Sequence, residues 1–231
     1  MNLFDLTKKL AIVTGGTNGN LGPIWCDALF NAGACVLSYD LPNYNVTNSQ
    51  DIARWKKGLN GTIPDILVLN SAIDNPPGSD ATLFGKFEEI MAVNLGGAIN
   101  MCRAFIPDMI KNGGGVIINI GSIQGSRGAV KRNYEGSFEK PVGYSCSKAA
   151  LVQLSRSITT QYGDKNIRSV TIGFGPVDTP KLDAAFMSRF LRDVPLGRPI
   201  SKQSLQTTLL FACCCPELAG QLIMVDGGFC A

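Results

Sequence analysis

The chain has 231 residues, 45% hydrophobic and 17% charged, with a formal net charge of +3. That is the composition of a folded chain with a sizeable core, and its scattered basic residues carry no nucleic-acid signature. Histidine is absent, which excludes a Ser-His-Asp triad, a Cys-His pair and any histidine-containing metal site.

The first ten residues hold Asp5, Lys8 and Lys9 and lack the apolar core of a signal peptide. No apolar run reads as long enough to span a bilayer, so the expected location is cytoplasmic, with no membrane partner. The sequons at Asn45 and Asn60 then carry no weight. The eight cysteines include the run Cys213, Cys214 and Cys215 but no C-x-x-C pair, so small buried apolar side chains are expected rather than a disulfide framework or metal cluster.

In chain order, short apolar runs at Leu10–Thr14, Ala34–Tyr39, Ile66–Leu69, Val116–Ile120, Ser169–Phe174 and Gln221–Val225 predict strands. Helical patterns separate most of them, over Leu21–Ala32, Ser49–Leu59, Phe87–Asn112, Tyr144–Tyr162 and Lys202–Cys214. This alternation predicts an α/β fold, a single Rossmann-type domain over residues 1–231 with a doubly wound parallel sheet and helices on both faces. Tyr44–Thr47 also reads as a short strand, only Leu41–Asn43 separating it from the preceding one. Parallel strands normally need a crossover of a dozen or more residues, so either a helix has been lost there or the segment is no strand. A shortened connection at the sheet edge is the expectation.

Between the first strand and first helix lies Thr14-Gly15-Gly16-Thr17-Asn18-Gly19-Asn20-Leu21-Gly22. Glycines let a backbone turn tightly and approach a pyrophosphate, whose charge the helix N-terminus stabilises. Asp40 ends the next strand, near the spacing of about 20 residues expected of a carboxylate that bonds an adenosine ribose. It would repel a 2′-phosphate, and neither the turn nor Leu41-Pro42-Asn43 offers a Lys or Arg to bind one. NAD is favoured over NADP. Further on, Tyr144 and Lys148 lie one helical turn apart, so an ammonium on the same face is positioned to lower the phenol's pKa and make it a usable base.

These motifs, in this order, resemble the short-chain dehydrogenase/reductase family over nearly the whole chain. Leu69-Asn70-Ser71-Ala72 is similar to the family's Asn-Asn-Ala-Gly element beside the adenosine, and Asn94 stands where the family places its helix asparagine. Asn119-Ile120-Gly121-Ser122 resembles the strand end that carries the serine, and Tyr144 and Lys148 match Tyr-x-x-x-Lys. Gly175-Pro176-Val177-Asp178-Thr179 resembles the turn around the nicotinamide, and Val225-Asp226-Gly227-Gly228 the closing strand. The resemblance implies an NAD(H)-dependent oxidoreductase that interconverts a secondary alcohol and a ketone. Tyr144 would act as acid/base, Lys148 would hold the ribose and depress the Tyr144 pKa, Ser122 would bond the reacting oxygen and Asn94 would hold a relay water. It further implies cofactor contacts from Gly15, Thr17, Asn18, Gly19, Asn20, Leu21, Asp40, Asn45, Val46, Asn70, Ser71, Ala72, Tyr144, Lys148, Gly175, Val177 and Thr179. A small-molecule substrate and a homotetramer or homodimer are the expected partners.

Several positions depart from the family pattern. Leu21 stands where a glycine is expected, and Gly22 follows, so the helix is expected to start one residue later. Leu69, Ala72 and Phe174 replace an asparagine, a glycine and a proline, and Asn45 replaces an aspartate near the adenine. Two segments, about 126–143 and 180–199, are expected to cover the substrate. The first holds Arg127, Lys131, Arg132, Tyr134, Glu135 and Lys140, and is similar to a subgroup associated with surface-carbohydrate or flagellin-glycan biosynthesis. Its basic residues lead to the expectation of a polar, carbohydrate-like substrate, anionic ones included. Two other classes compete with this reading. Ser145-Cys146-Ser147-Lys148 also reads as Ser-x-x-Lys but lacks the Lys-Thr-Gly and Ser-Asp-Asn partners of a serine hydrolase. A non-catalytic NAD-sensing module fits the irregular glycine turn but gives the Asn94, Ser122, Tyr144 and Lys148 set no role.

Overall fold

The fold is described from a computed structural model, over residues 3–75, 81–134, 138–179 and 183–231. Six strands make one sheet: β1 (Leu10–Thr14), β2 (Cys35–Tyr39), β3 (Ile66–Leu69), β4 (Gly115–Ile120), β5 (Ile167–Phe174) and β6 (Leu222–Val225). Their order is β2-β1-β3-β4-β5-β6 and every pairing is parallel. Such a sheet has both faces buried, and the strand sequences accordingly run apolar without polar alternation.

Successive side chains go to opposite faces and build two cores. Ala11, Val13, Ile66, Val68, Ile118 and Ile172 pack with Trp25 and Leu29 of α1 (Gly22–Asn31) and with Leu205 and Leu209 of α7 (Lys202–Cys214). Ile12, Leu67 and Ile117 face the other way. There they meet Ile52 of α2 (Ser49–Gly58), Met101 and Phe105 of α4 (Gly97–Lys111), and Leu151 and Ile158 of α5 (Val142–Tyr162). The short α3 (Phe87–Met91) precedes α4, and α6 (Ala184–Leu191) lies between β5 and α7.

Three expectations need correction. Tyr44–Thr47 is a turn. Asn45 Oδ1 accepts from Thr47 N at 2.9 Å and from Thr47 Oγ1 at 3.0 Å, a local closure that competes with strand pairing. The Tyr44 ring stacks on Tyr39 with centroids 5.3 Å apart, and Asn48 caps α2. No helix has been lost, because α2 itself carries the chain from edge strand β2 to β3. Second, the helix expected at Phe87–Asn112 is interrupted by a π-helical turn at Ala92–Gly96, centred on Asn94. Third, Phe87–Lys111 is long and apolar enough to cross a membrane by length and composition. Those apolar residues are the ones that fill the sheet face, and Asp108 on the other side pairs with Lys56 at 2.5 Å.

Candidate active site

The order β2-β1-β3 reverses direction at β1, and such switch points open a crevice beyond the strands' C-terminal ends. A cleft of about 1180 Å³ lies there. Gly15, Asp40, Asn70, Ser122 and Gly175, each just past the end of a different strand, line it.

The glycine turn is built by close approach. A Cβ on Gly22 would stand 1.9 Å from the Gly15 carbonyl oxygen, so only glycine lets α1 pack down on the turn. The helix begins at Gly22, with Leu21 as its cap residue, and the displaced glycine does the packing that the pattern assigns one position earlier. Gly19 has φ +93° and open space where a side chain would lie. Asp40 Oδ2 accepts from the amides of Thr17 and Asn18, both at 2.9 Å. It therefore ties the turn to β2, besides facing the cleft.

Asn70 is a bracket. Its Nδ2 donates to the carbonyls of Thr14 and Gly15 at 3.0 and 3.1 Å, and its Oδ1 accepts from Trp25 Nε1 at 2.8 Å. Asn18, Gly19, Asn20, Leu21, Asn45, Val46, Ser71 and Ala72 complete this end of the cleft. Of the expected cofactor contacts, Thr17, Val177 and Thr179 do not line it. Thr17 Oγ1 donates to Ser38 Oγ at 3.0 Å, and Val177 pairs in a parallel bridge with Ile200. Among the described residues the buried Thr179 hydroxyl finds no hydrogen-bond partner.

At the other end Tyr144 and Lys148, on the first turns of α5, meet Ser122 at the tip of β4. Lys148 is buried and its Nζ donates to the Ile120 carbonyl at 2.8 Å, while lying 5.5 Å from the Tyr144 ring centroid. Ser122 Oγ accepts from Gln124 N at 3.1 Å, capping a short 3₁₀ turn, and its hydroxyl acts to lower the Tyr144 pKa. Burial pulls Lys148 down to about 8. Burial also pushes the Tyr144 phenol above its ordinary value; the Asp74 carboxylate adds to that, and the Ser122 bond opposes it. The expectation that Lys148 depresses the Tyr144 pKa is thus corrected for the free chain, because desolvation disfavours both charged forms.

Asn94 lies behind the cleft rather than in it. Its Oδ1 accepts from Ile73 N at 2.8 Å, and its Nδ2 donates to Ile73 O and Ser147 Oγ, both at 3.1 Å. With the side chain so engaged, a relay water at this residue would have to bond main-chain carbonyl oxygen, and a π-turn is where regular helical bonding is broken.

Tyr134, Lys140, Phe186 and Phe190, from the two segments expected to cover the substrate, line the cleft, and Gln124 and Asp74 join them from the segments after β4 and β3. Tyr134 stacks on Phe138 at 4.9 Å and meets Phe186 at 5.5 Å, so the two covering segments join through aromatic rings. Arg132 Nη2 bonds Asp193 Oδ1 at 2.6 Å, and Arg127 Nη1 donates to Phe229 O at 2.8 Å. Arg132 thus joins the two covering segments, Arg127 ties the first to the stretch after β6, and neither lines the cleft, which corrects their expected role toward an anionic substrate. Glu135 and Pro180 lie outside the described residues. Asp74 and Gln124 went unnoticed in the sequence, although each follows a strand end by a few residues, where cleft-lining groups concentrate.

The model of the short chain dehydrogenase family matches residues 43–188. The chain belongs to the short-chain dehydrogenase family. It is 33% identical over 173 residues to the 3-oxoacyl-[acyl-carrier-protein] reductase FabG of Chlamydia trachomatis. That match takes in 71% of this chain and 64% of the reductase, just under two thirds of the relative's length. A short-chain dehydrogenase from Leptospira borgpetersenii, solved with bound NAD+, superposes with a TM-score of 0.85 at 24% identity, covering 99% of this chain and 95% of its own. A gluconate 5-dehydrogenase from Burkholderia cenocepacia, solved with NADP and tartrate, gives 0.83 at 23% identity, with 99% and 97% covered. The family uses a nicotinamide cofactor, and this short-chain dehydrogenase has the features to receive one. Its glycine turn is open at Gly19, and a carboxylate stands at the end of β2.

Proposed function

We propose that this short-chain dehydrogenase is an NAD(H)-dependent oxidoreductase that interconverts a secondary alcohol and a ketone on a polar, carbohydrate-like substrate. The observation that carries the reading is the convergence of Tyr144, Lys148 and Ser122 in the same cleft as the glycine turn and Asp40. Bound NAD supplies the hydride acceptor. Ser122 holds the substrate oxygen beside the Tyr144 hydroxyl, and Tyr144 moves the proton at that oxygen. Lys148, charged below about pH 8, holds the ribose and stabilises the phenolate as it forms. Phe186, Phe190 and Tyr134 keep water from the reacting atoms.

Preference for NAD rests on the Asp40 carboxylate, which disfavours a 2′-phosphate by like charge. A polar substrate is supported by Gln124, Tyr134, Lys140 and Asp74 along the cleft wall. Assembly as a homotetramer or homodimer is supported by Phe84 and Phe87, exposed large apolar side chains beside the start of α3. Titration with NADH and NADPH, followed by fluorescence, tests the cofactor assignment. Tighter NADH binding, weakened about tenfold in Asp40→Ala, is expected, since a charged partner to an amide or hydroxyl is worth about 1.5–3 kcal/mol. Binding of neither nucleotide would overturn the reading.

A further inference from the structure

Lys140 sits four residues before Tyr144, and its ammonium lies 4.6 Å from the centroid of the Tyr144 ring. The lysine side chain is only 8% exposed and donates to Asp74 Oδ2, a carboxylate contributed by the segment after β3. Two bonds hold the chain on either side of the lysine: Leu83 N donates to Glu139 Oε2 at 2.9 Å, and Val142 N donates to Leu83 O at 2.8 Å. A buried ion pair is weak evidence for stability, because the loss of hydration offsets much of the attraction. This one therefore calls for another reason to exist, and its position beside the reacting tyrosine supplies one. Asp74 Oδ1 accepts from the neighbouring Asn75 N at 2.8 Å, and its side chain is 32% exposed.

We propose that Lys140 and Asp74 form a specificity-determining pair that reads the hydroxyl groups of a neutral polyol substrate and disfavours a carboxylate-bearing one. The inference rests on the oxidoreductase reading above and adds the substrate's charge to it. An ammonium donates to a hydroxyl oxygen and a carboxylate accepts its proton, so the pair satisfies two neighbouring hydroxyls without a change of charge. An incoming carboxylate has to displace Asp74 from Lys140 and then faces its negative charge, which already acts on Tyr144, Tyr134 and Lys148. The rings of Tyr134, Phe186 and Phe190 offer apolar faces for the substrate's C–H groups.

Sorbitol and gluconate share a carbon chain and differ in a terminal hydroxymethyl or carboxylate, so they isolate this choice. Saturation-transfer NMR with the full chain measures their binding without nucleotide, alongside an NADH titration. Wild type is expected to favour sorbitol by about tenfold or more, a difference of affinities built by like-charge repulsion. Asp74→Asn should reverse that preference, Lys140→Met should weaken both ligands, and Lys140→Arg should restore sorbitol. Thermal melts check that each variant folds. Wild type that favours gluconate or binds neither, or an unchanged ratio in folded Asp74→Asn, overturns the proposal. Loss of NADH binding alone overturns the oxidoreductase reading and leaves the sugar preference standing.

Discussion

Tyr144 and Lys148 show how little a motif says about charge state. Helical spacing places them together, but both groups are buried, and desolvation is the largest influence on each in the free chain. Tyr144→Phe removes the proton carrier and keeps the ring, so turnover should fall by about 10²–10⁴-fold with NADH affinity little changed, measured by steady-state kinetics and titration. Lys148 gives a stability signature. Its pKa falls from 10.5 in the open chain to about 8 in the fold. Between these values the unfolded state binds more protons, so this group's contribution to stability rises with pH above 8 and is lost as pH falls through 8. The window closes near pH 10, where Tyr144, shifted the other way, begins to oppose it. Urea melts at pH 8 and pH 10 should therefore show wild type gaining stability relative to Lys148→Met. A constant difference between the two would reject the buried, charge-sensitive lysine.

Elements show where local chemistry overrides pattern. The strand reading of Tyr44–Thr47 failed because Asn45 closes its own turn and Tyr44 has an aromatic partner in Tyr39, neither of which periodicity reports. The π-turn at Ala92–Gly96 was illegible for a related reason: Asn94 bonds the backbone of Ile73, twenty-one residues away. The delayed start of α1 was legible, because Leu21 followed by Gly22 can only shift the close-packed position. Gly22→Ala tests that shift. A methyl group 1.9 Å from a carbonyl oxygen forces α1 off the turn, at a cost of about 3 kcal/mol, the upper end for overpacking. The thermal midpoint and NADH affinity should fall together, and a variant that melts and binds as wild type would refute the packing role.

For the whole molecule, the strand order decides which residues meet. It sets Gly15, Asn70, Ser122 and Gly175 around one crevice from positions spread over most of the chain. The two covering segments are coupled through Arg132–Asp193 and the Tyr134–Phe186 contact. Arg132→Ala should therefore raise KM for neutral and anionic substrates alike, since the arginine fixes the roof rather than a ligand. A rise confined to anionic substrates, read from KM on both kinds, would restore the charge-recognition role expected from the sequence.

The sequence by itself determined the strands, most helix limits, the glycine turn, and the Ser122, Tyr144 and Lys148 set. Those features depend on neighbours close in the chain, or on a run of apolar residues that only a buried parallel sheet accommodates. Tertiary structure alone decided the rest. Asp40 clamps the turn, Asn70 and Asn94 serve as brackets, and Arg127 and Arg132 bond Phe229 and Asp193. Asp74 comes to Lys140 across 66 residues. A polar side chain's role depends on its partner and its burial, and for these residues both come from distant segments that meet only when the sheet is assembled.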